Sequence, residues 1–200
     1  MPEAQREALR YGTKVPLVYT SVALRSRRAF EERGVHAVSL PGGYHGSLNL
    51  LMPVSVGEYR YPKRSQEPAL VHLTRVPGAP GRPAREQHRI GRLELLTTPF
   101  ETLEARVRDE LARVLAPADF EPDRDVAALT VNRWPHGYAY QYNSLDDPFW
   151  LDGGELPCAV ARRPVGRRIA IANSDAAAYA YTDAAIDQAR RAVFELVERI

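Results

Sequence analysis

At 200 residues and 44% hydrophobic, the chain has the material for one domain that buries about 70% of the surface its unfolded form would expose. The 27 basic and 25 acidic residues nearly cancel, and the basic clusters (Arg25, Arg27 and Arg28; Arg162, Arg163, Arg167 and Arg168) are short and interrupted, which argues against a nucleic-acid stripe or a polybasic membrane anchor. No apolar run approaches the ~20 residues of a membrane span, the single Cys158 excludes an internal disulfide, and residues 1–10 carry charge where a signal peptide would be apolar.

Residues 3–10 read as a short helix stopped by Gly12, and residues 14–20 (KVPLVYT) have the composition of a strand that Pro16 makes irregular or confines to an edge. A helix over 23–33, capped by Gly34, and a short strand over 35–40 follow. This alternation predicts an α/β (α+β) fold, a mixed sheet with flanking helices. Residues 41–83 are broken by prolines into short pieces, of which 69–76 is the best strand. Within them, residues 41–48 (PGGYHGSL) are glycine-rich but lack the six-residue dinucleotide fingerprint and a following helix, so an ordinary turn is expected over a phosphate loop. Thr-Pro-Phe-Glu at 98–101 predicts a capping box opening a helix over 99–115, with Phe100, Leu103, Val107, Leu111 and Val114 on one face. Residues 125–133 read as a strand, 137–143 as aromatic-rich extended chain, 148–157 as a loop and 168–172 (RIAIA) as a short buried strand. A final amphipathic helix carries the stripe Ile186, Ala189, Val193, Leu196 or Val197, and Ile200.

The five histidines, at 36, 45, 72, 88 and 136, have no zinc spacing, so no metal is expected, and no Gly-x-Ser-x-Gly nucleophile elbow exists. Three blocks carry more chemistry. In the tail, residues 166–193, a strand, a polar turn and a helix bring Tyr179, Tyr181, Thr182 and Asp183 to a helix N-terminus, whose unpaired N–H groups suit an anionic ligand group; a capped surface helix has the same pattern. In residues 131–143 (VNRWPHGYAYQYN), Tyr138, Tyr140 and Tyr142 share one face if extended, either as core packing or as a wall. In residues 11–19 (YGTKVPLVY), Lys14, one of only two lysines, starts a strand, where a lysine is ordinarily a solvated charge.

Together these blocks resemble the carboxyl-terminal part of the flavin-containing amine oxidoreductases, and the Trp134-Pro-His-Gly segment and the tail look similar to the spermidine dehydrogenase-like branch. The resemblance implies that residues 1–157 correspond to a substrate domain and 158–200 to the strand and helix that complete an FAD-binding domain. The Gly-x-Gly-x-x-Gly front half of that domain has no counterpart in this sequence. It further implies that Asn173, Ser174 and Asp175 lie by the ribityl-pyrophosphate part of FAD, and that the Thr182 N–H faces the pyrimidine edge. Tyr181 would form one wall of an aromatic cage, and the segment matched by Trp134, His136, Gly137 and Tyr140 the other, with Tyr138 a rival to Tyr140. Lys14 would hold a water at flavin N5. The turn departs from the family's usual Ala-Gly-Thr/Asp-Glu, having Ala172, Asn173, Ser174 and Asp175 instead. No cysteine lies in the segment where some relatives tether flavin, so FAD would be non-covalent. Some relatives also carry haem, for which no histidine here is assignable. The implied activity is hydride transfer from a polyamine-like substrate to flavin N5. The partner would be an FAD-binding half or subunit without which this chain is inactive, and the intact parent is compatible with export to the periplasm. The alternative is a non-catalytic α+β binding or assembly module that has lost the cofactor.

Overall fold

A computed structural model describes residues 1–51, 54–148, 154–166 and 168–197. In chain order the elements are α1 (Glu3–Tyr11), β1 (Leu17–Leu24), α2 (Arg28–Arg33), β2 (Ala37–Ser39), β3 (Ser47–Leu50), β4 (Ala69–Arg75), α3 (Ala84–Thr97), α4 (Phe100–Leu115), α5 (Pro122–Asp125), β5 (Val126–Trp134), α6 (Pro157–Ala161) and α7 (Thr182–Val197), with 3₁₀ turns at Ala116–Ala118 and Ser174–Ala177. They form two compact units, one of residues 17–77 and 91–134, the other of residues 1–16, 78–90 and 135–200.

The first unit is a five-stranded sheet in the order β2-β3-β4-β1-β5 with helices on it. Where the sequence suggested mixed strand directions, every pairing is antiparallel. Alternation along β1 buries Val18, Thr20, Val22 and Leu24, and these meet Phe30, Leu48, Val71, Leu73, Val107 and Leu111 in or beside one core. Each of the aliphatic and phenylalanine side chains contributes about 1.5–3 kcal/mol of burial. β1 lies between β4 and β5 and is not an edge, because it begins at Leu17, just after Pro16, and so gives up no ladder hydrogen bond to the proline. Residues 23–27, expected at the start of a helix, instead finish β1 and lead to the short α2, which Gly34 closes in the left-handed conformation at φ +63°.

α4 buries Leu103, Val107, Leu111 and Leu115, while Phe100 at its first turn is exposed. The capping box does not form. Thr98 follows directly on α3, and its hydroxyl donates to the Glu94 carbonyl at 2.7 Å, closing the preceding helix; Pro99 occupies the N-cap of α4. The glycine-rich turn at 41–48 has a structural role. Glu110 is buried with its Oε1 3.0 Å from the His45 N–H and its Oε2 2.6 Å from His45 Nδ1. A Cβ on Gly43 would stand 3.0 Å from Glu110 Oε1, so glycine is what lets the carboxylate approach the loop.

In the second unit α1 packs on α6, and the buried Gln5 amide donates to the carbonyls of Ala161 (3.2 Å) and Arg163. The strand expected at 168–172 is not one. Among the described residues this segment makes a single bridge, Val165 to Ile169, and pairs into no ladder. α7 forms as expected, but its apolar stripe faces outward. Ile186, Val193 and Val197 are 64%, 59% and 61% exposed, and the small Ala184 and Ala192 make the buried face. Ile200, the end of that stripe, and residues 149–153 of the expected loop lie outside the described residues. Among the described residues no helix is long and apolar enough to cross a membrane.

Candidate functional site

Asp175 is where the three sequence blocks meet. It sits in the 3₁₀ turn Ser174–Ala177, which Asn173 caps by accepting the Ala176 N–H at 3.2 Å. Ala178 ends that turn in the left-handed region, at φ +51°, with its N–H donated to Asp175 O at 3.0 Å. The Asp175 carboxylate is used within the turn and beyond it. Its Oδ1 accepts the Tyr140 N–H at 2.8 Å, and its Oδ2 takes the Lys14 ammonium and, at 3.3 Å, the Asn173 amide.

Lys14 reaches this point from the stretch between the Gly12 stop of α1 and the start of β1. Beside it, the Gly137 N–H donates to Val15 O at 2.8 Å, and two residues past Tyr140 the Tyr142 N–H donates to Ala178 O at 2.9 Å. The aromatic segment thus runs extended between the Lys14 stretch and the tail turn, with alternate N–H groups of Tyr140 and Tyr142 tied to the tail. The Lys14–Asp175 pair is partly buried, with side-chain exposures of 31% and 21%. Such a pair is less screened than a surface one and orients both groups.

Tyr138, Tyr140 and Tyr142 all line one cavity of about 960 Å³, together with Tyr11, His88 and Asp147. The Tyr11 and Tyr140 rings meet edge-to-face with centroids 6.1 Å apart. Tyr11 donates its hydroxyl to Asp147 Oδ1 at 2.5 Å, and Thr13 Oγ1 lies 3.1 Å from His88 Nδ1. Burial first, and then the Asp147 carboxylate, push the phenols of Tyr11 and Tyr140 well above the usual tyrosine range, so both stay protonated. Burial likewise pushes the Cys158 thiol up, so it is no thiolate nucleophile.

The structure brings together Lys14, Tyr140, Asn173 and Asp175, with Gly137 tied to the neighbour of Lys14. Ser174 contributes its carbonyl, which accepts from Tyr179 N at 3.4 Å. Thr182 begins α7, whereas Tyr181 is exposed and its ring meets that of Tyr179 with centroids 4.6 Å apart. Trp134 is the last residue of β5, opposite Leu17 in the sheet unit, and is exposed. Sequence reasoning missed Tyr11, His88 and Asp147. Tyr11 opened the block 11–19 without being given a role, and Asp147 lay between the aromatic segment 137–143 and the expected loop 148–157. Among the described residues no cluster of His, Cys, Asp and Glu could hold a metal ion.

No protein-family model and no curated protein matches the chain. Among solved structures its fold is similar to that of a putrescine oxidase, a double mutant made for structure-based redesign of cofactor binding, with a TM-score of 0.57 and 13% sequence identity over 99% of this chain. The chain spans 38% of that protein's length. At this identity the likeness establishes a shared fold.

Proposed function

We propose that this chain is part of an FAD-dependent amine oxidoreductase of the spermidine dehydrogenase-like kind, acting on a polyamine or related small amine. Residues 1–157 serve its substrate domain and 158–200 complete its FAD-binding domain, the rest of which comes from a partner segment or subunit. The single observation that carries the reading is the bridging of Lys14, Tyr140 and Asn173 by the Asp175 carboxylate, three residues marked from three separate stretches of sequence. The whole-chain likeness to a putrescine oxidase fold supports it.

The residues present fit a flavin. Asp175 and Asn173 belong to a turn leading to the N-terminus of α7, and the cavity of about 960 Å³ beside Tyr140 has room for a ring system and a small amine. Bound FAD would supply the hydride acceptor for the amine C–H bond. The protein's part is positioning. Asn173, Ser174, Asp175, Thr182 and Gly137 hold the cofactor, and Lys14, oriented by Asp175, fixes a water at the reacting edge. Tyr140 and Tyr181 orient the amine and exclude water. The FAD is non-covalent.

The test uses the protein isolated from its own cells with whatever it associates with, under anaerobic conditions. Flavin absorbance that bleaches on adding spermidine or a shorter diamine is expected. A colourless assembly, or a flavin that no amine reduces, contradicts the reading and favours a binding module without cofactor.

A further inference from the structure

We propose that Asp147 makes the tyrosine-walled cavity selective for cations, so that its ligand is an alkylammonium group seated between the rings and this carboxylate. The proposal deepens the amine reading and rests on it for the ligand's identity, but its observations are independent of any cofactor.

Asp147 lines the cavity with Tyr11, Tyr138, Tyr140 and Tyr142. It is held rigidly: Oδ1 accepts the Tyr11 hydroxyl at 2.5 Å, Oδ2 accepts the Asn143 N–H at 2.6 Å, and its own N–H donates to Asn143 O at 2.8 Å. These partners are neutral, and among the described residues no ion pair neutralises the Asp147 carboxylate. Of the other acids on the wall, Glu7 pairs with Arg10 and Glu155 with Arg163, while Asp146 accepts from the neutral Asn143 amide at 2.9 Å and so adds its charge to that of Asp147. On the same wall the Tyr142 hydroxyl oxygen is buried without a hydrogen-bond partner among the described residues, a polar group that a ligand N–H would satisfy. Among the described residues Arg85 is the one arginine on the wall; its guanidinium donates to the neutral Arg10 carbonyl, so one positive charge faces the two carboxylates of Asp146 and Asp147.

A fixed carboxylate with unneutralised charge, beside aromatic faces, attracts an ammonium group both by its charge and by the ring quadrupoles. Neutral solutes of the same shape gain only the apolar contact. Because Tyr11 and Tyr140 stay protonated, their phenols add no negative charge, and the sign of the chamber comes from Asp147 together with Asp146, of which Asp147 is the one whose carboxylate is hydrogen-bonded to a wall tyrosine.

The experiment uses the full chain with ring-¹³C-labelled tyrosine, titrated with butylammonium, 1-butanol and butyrate and followed by NMR. Saturable shifts of the Tyr11 and Tyr140 signals are expected with butylammonium, at an affinity at least about tenfold above that for 1-butanol, and none with butyrate. Asp147→Asn should weaken butylammonium binding about tenfold while leaving 1-butanol unchanged, and Asp147→Glu should restore part of it. Should Asp147→Asn fail to fold, raising the salt on the wild-type chain decides, since a charge-selective site loses butylammonium affinity and keeps that for 1-butanol. Equal binding of the three probes, or wild-type affinity in folded Asp147→Asn, overturns the proposal. No flavin enters this assay, so its failure leaves the redox reading standing, and a failure of amine-dependent flavin bleaching leaves this one standing.

Discussion

Asp175 uses two oxygens to hold three stretches of chain, which makes it the residue whose loss should be most informative. In Asp175→Ala the Tyr140 N–H and the Lys14 ammonium lose a partly buried acceptor, at a cost of about 1–3 kcal/mol. Amide exchange at Tyr140 should speed up while exchange in the β1–β4 ladder stays unchanged; unaltered protection at Tyr140 would contradict its role as the bridge. Lys14→Met tests a different link. In flavin-loaded protein it should slow reduction or reoxidation in stopped-flow traces while leaving flavin bound, and unchanged rates in both half-reactions would return Lys14 to a structural charge. Tyr181 separates caging from packing: its ring is exposed, so Tyr181→Ala should scarcely shift the melting temperature, yet lower kcat/KM about tenfold if it faces the amine. Lys14, Tyr140 and Asp175 were legible because each sits in a patterned stretch that resembles a known family. Tyr11, His88 and Asp147 were not, because the cavity is assembled from distant segments and nothing in the short sequence around each residue reveals its neighbours.

At the level of elements, the turn at 41–48 shows how a local pattern acquires its meaning from a partner. It is glycine-rich without the fingerprint of a phosphate loop, and the structure sets the chain's own carboxylate, Glu110, against it. Burial alone would push the Glu110 carboxyl up, but the hydrogen bonds from His45 outweigh it and hold it below its ordinary value. A depressed folded-state value contributes stability that is present above the unfolded value and lost as pH falls through the folded one. The sheet unit should therefore destabilise below about pH 4.5. In Glu110→Gln, thermal melts should show a loss of about 2–3 kcal/mol at neutral pH and a flatter acid limb. A mutant with the wild-type acid limb would remove Glu110 from the account. The helix at α3 escaped detection because Leu93 and Leu96 lie on its exposed side and only Gly91 and Leu95 are buried, so no apolar stripe marks a core. α7 is the reverse case, a correctly read stripe that faces outward. Val193→Ser should accordingly change the melting temperature of this chain little, within about 0.5 kcal/mol, and a loss of several kcal/mol would show that the stripe is packed.

For the molecule as a whole, the α+β class and most sheet strands followed from alternation and turn residues, since antiparallel strands with one buried face declare themselves locally. The tail did not, because 168–172 has strand composition but a strand exists only with a neighbour, and among the described residues it makes one bridge. The same limit applies to function. The Asp175 cluster belongs to one compact unit that residues 1–16, 78–90 and 135–200 build together, so no single stretch of sequence contains it. The most direct test of the central claim is photolabelling of the assembled protein with 8-azido-FAD, followed by peptide mapping. The account predicts label within 137–142 and 173–182, suppressed by excess FAD; label confined to the sheet unit, or none that FAD displaces, would contradict it.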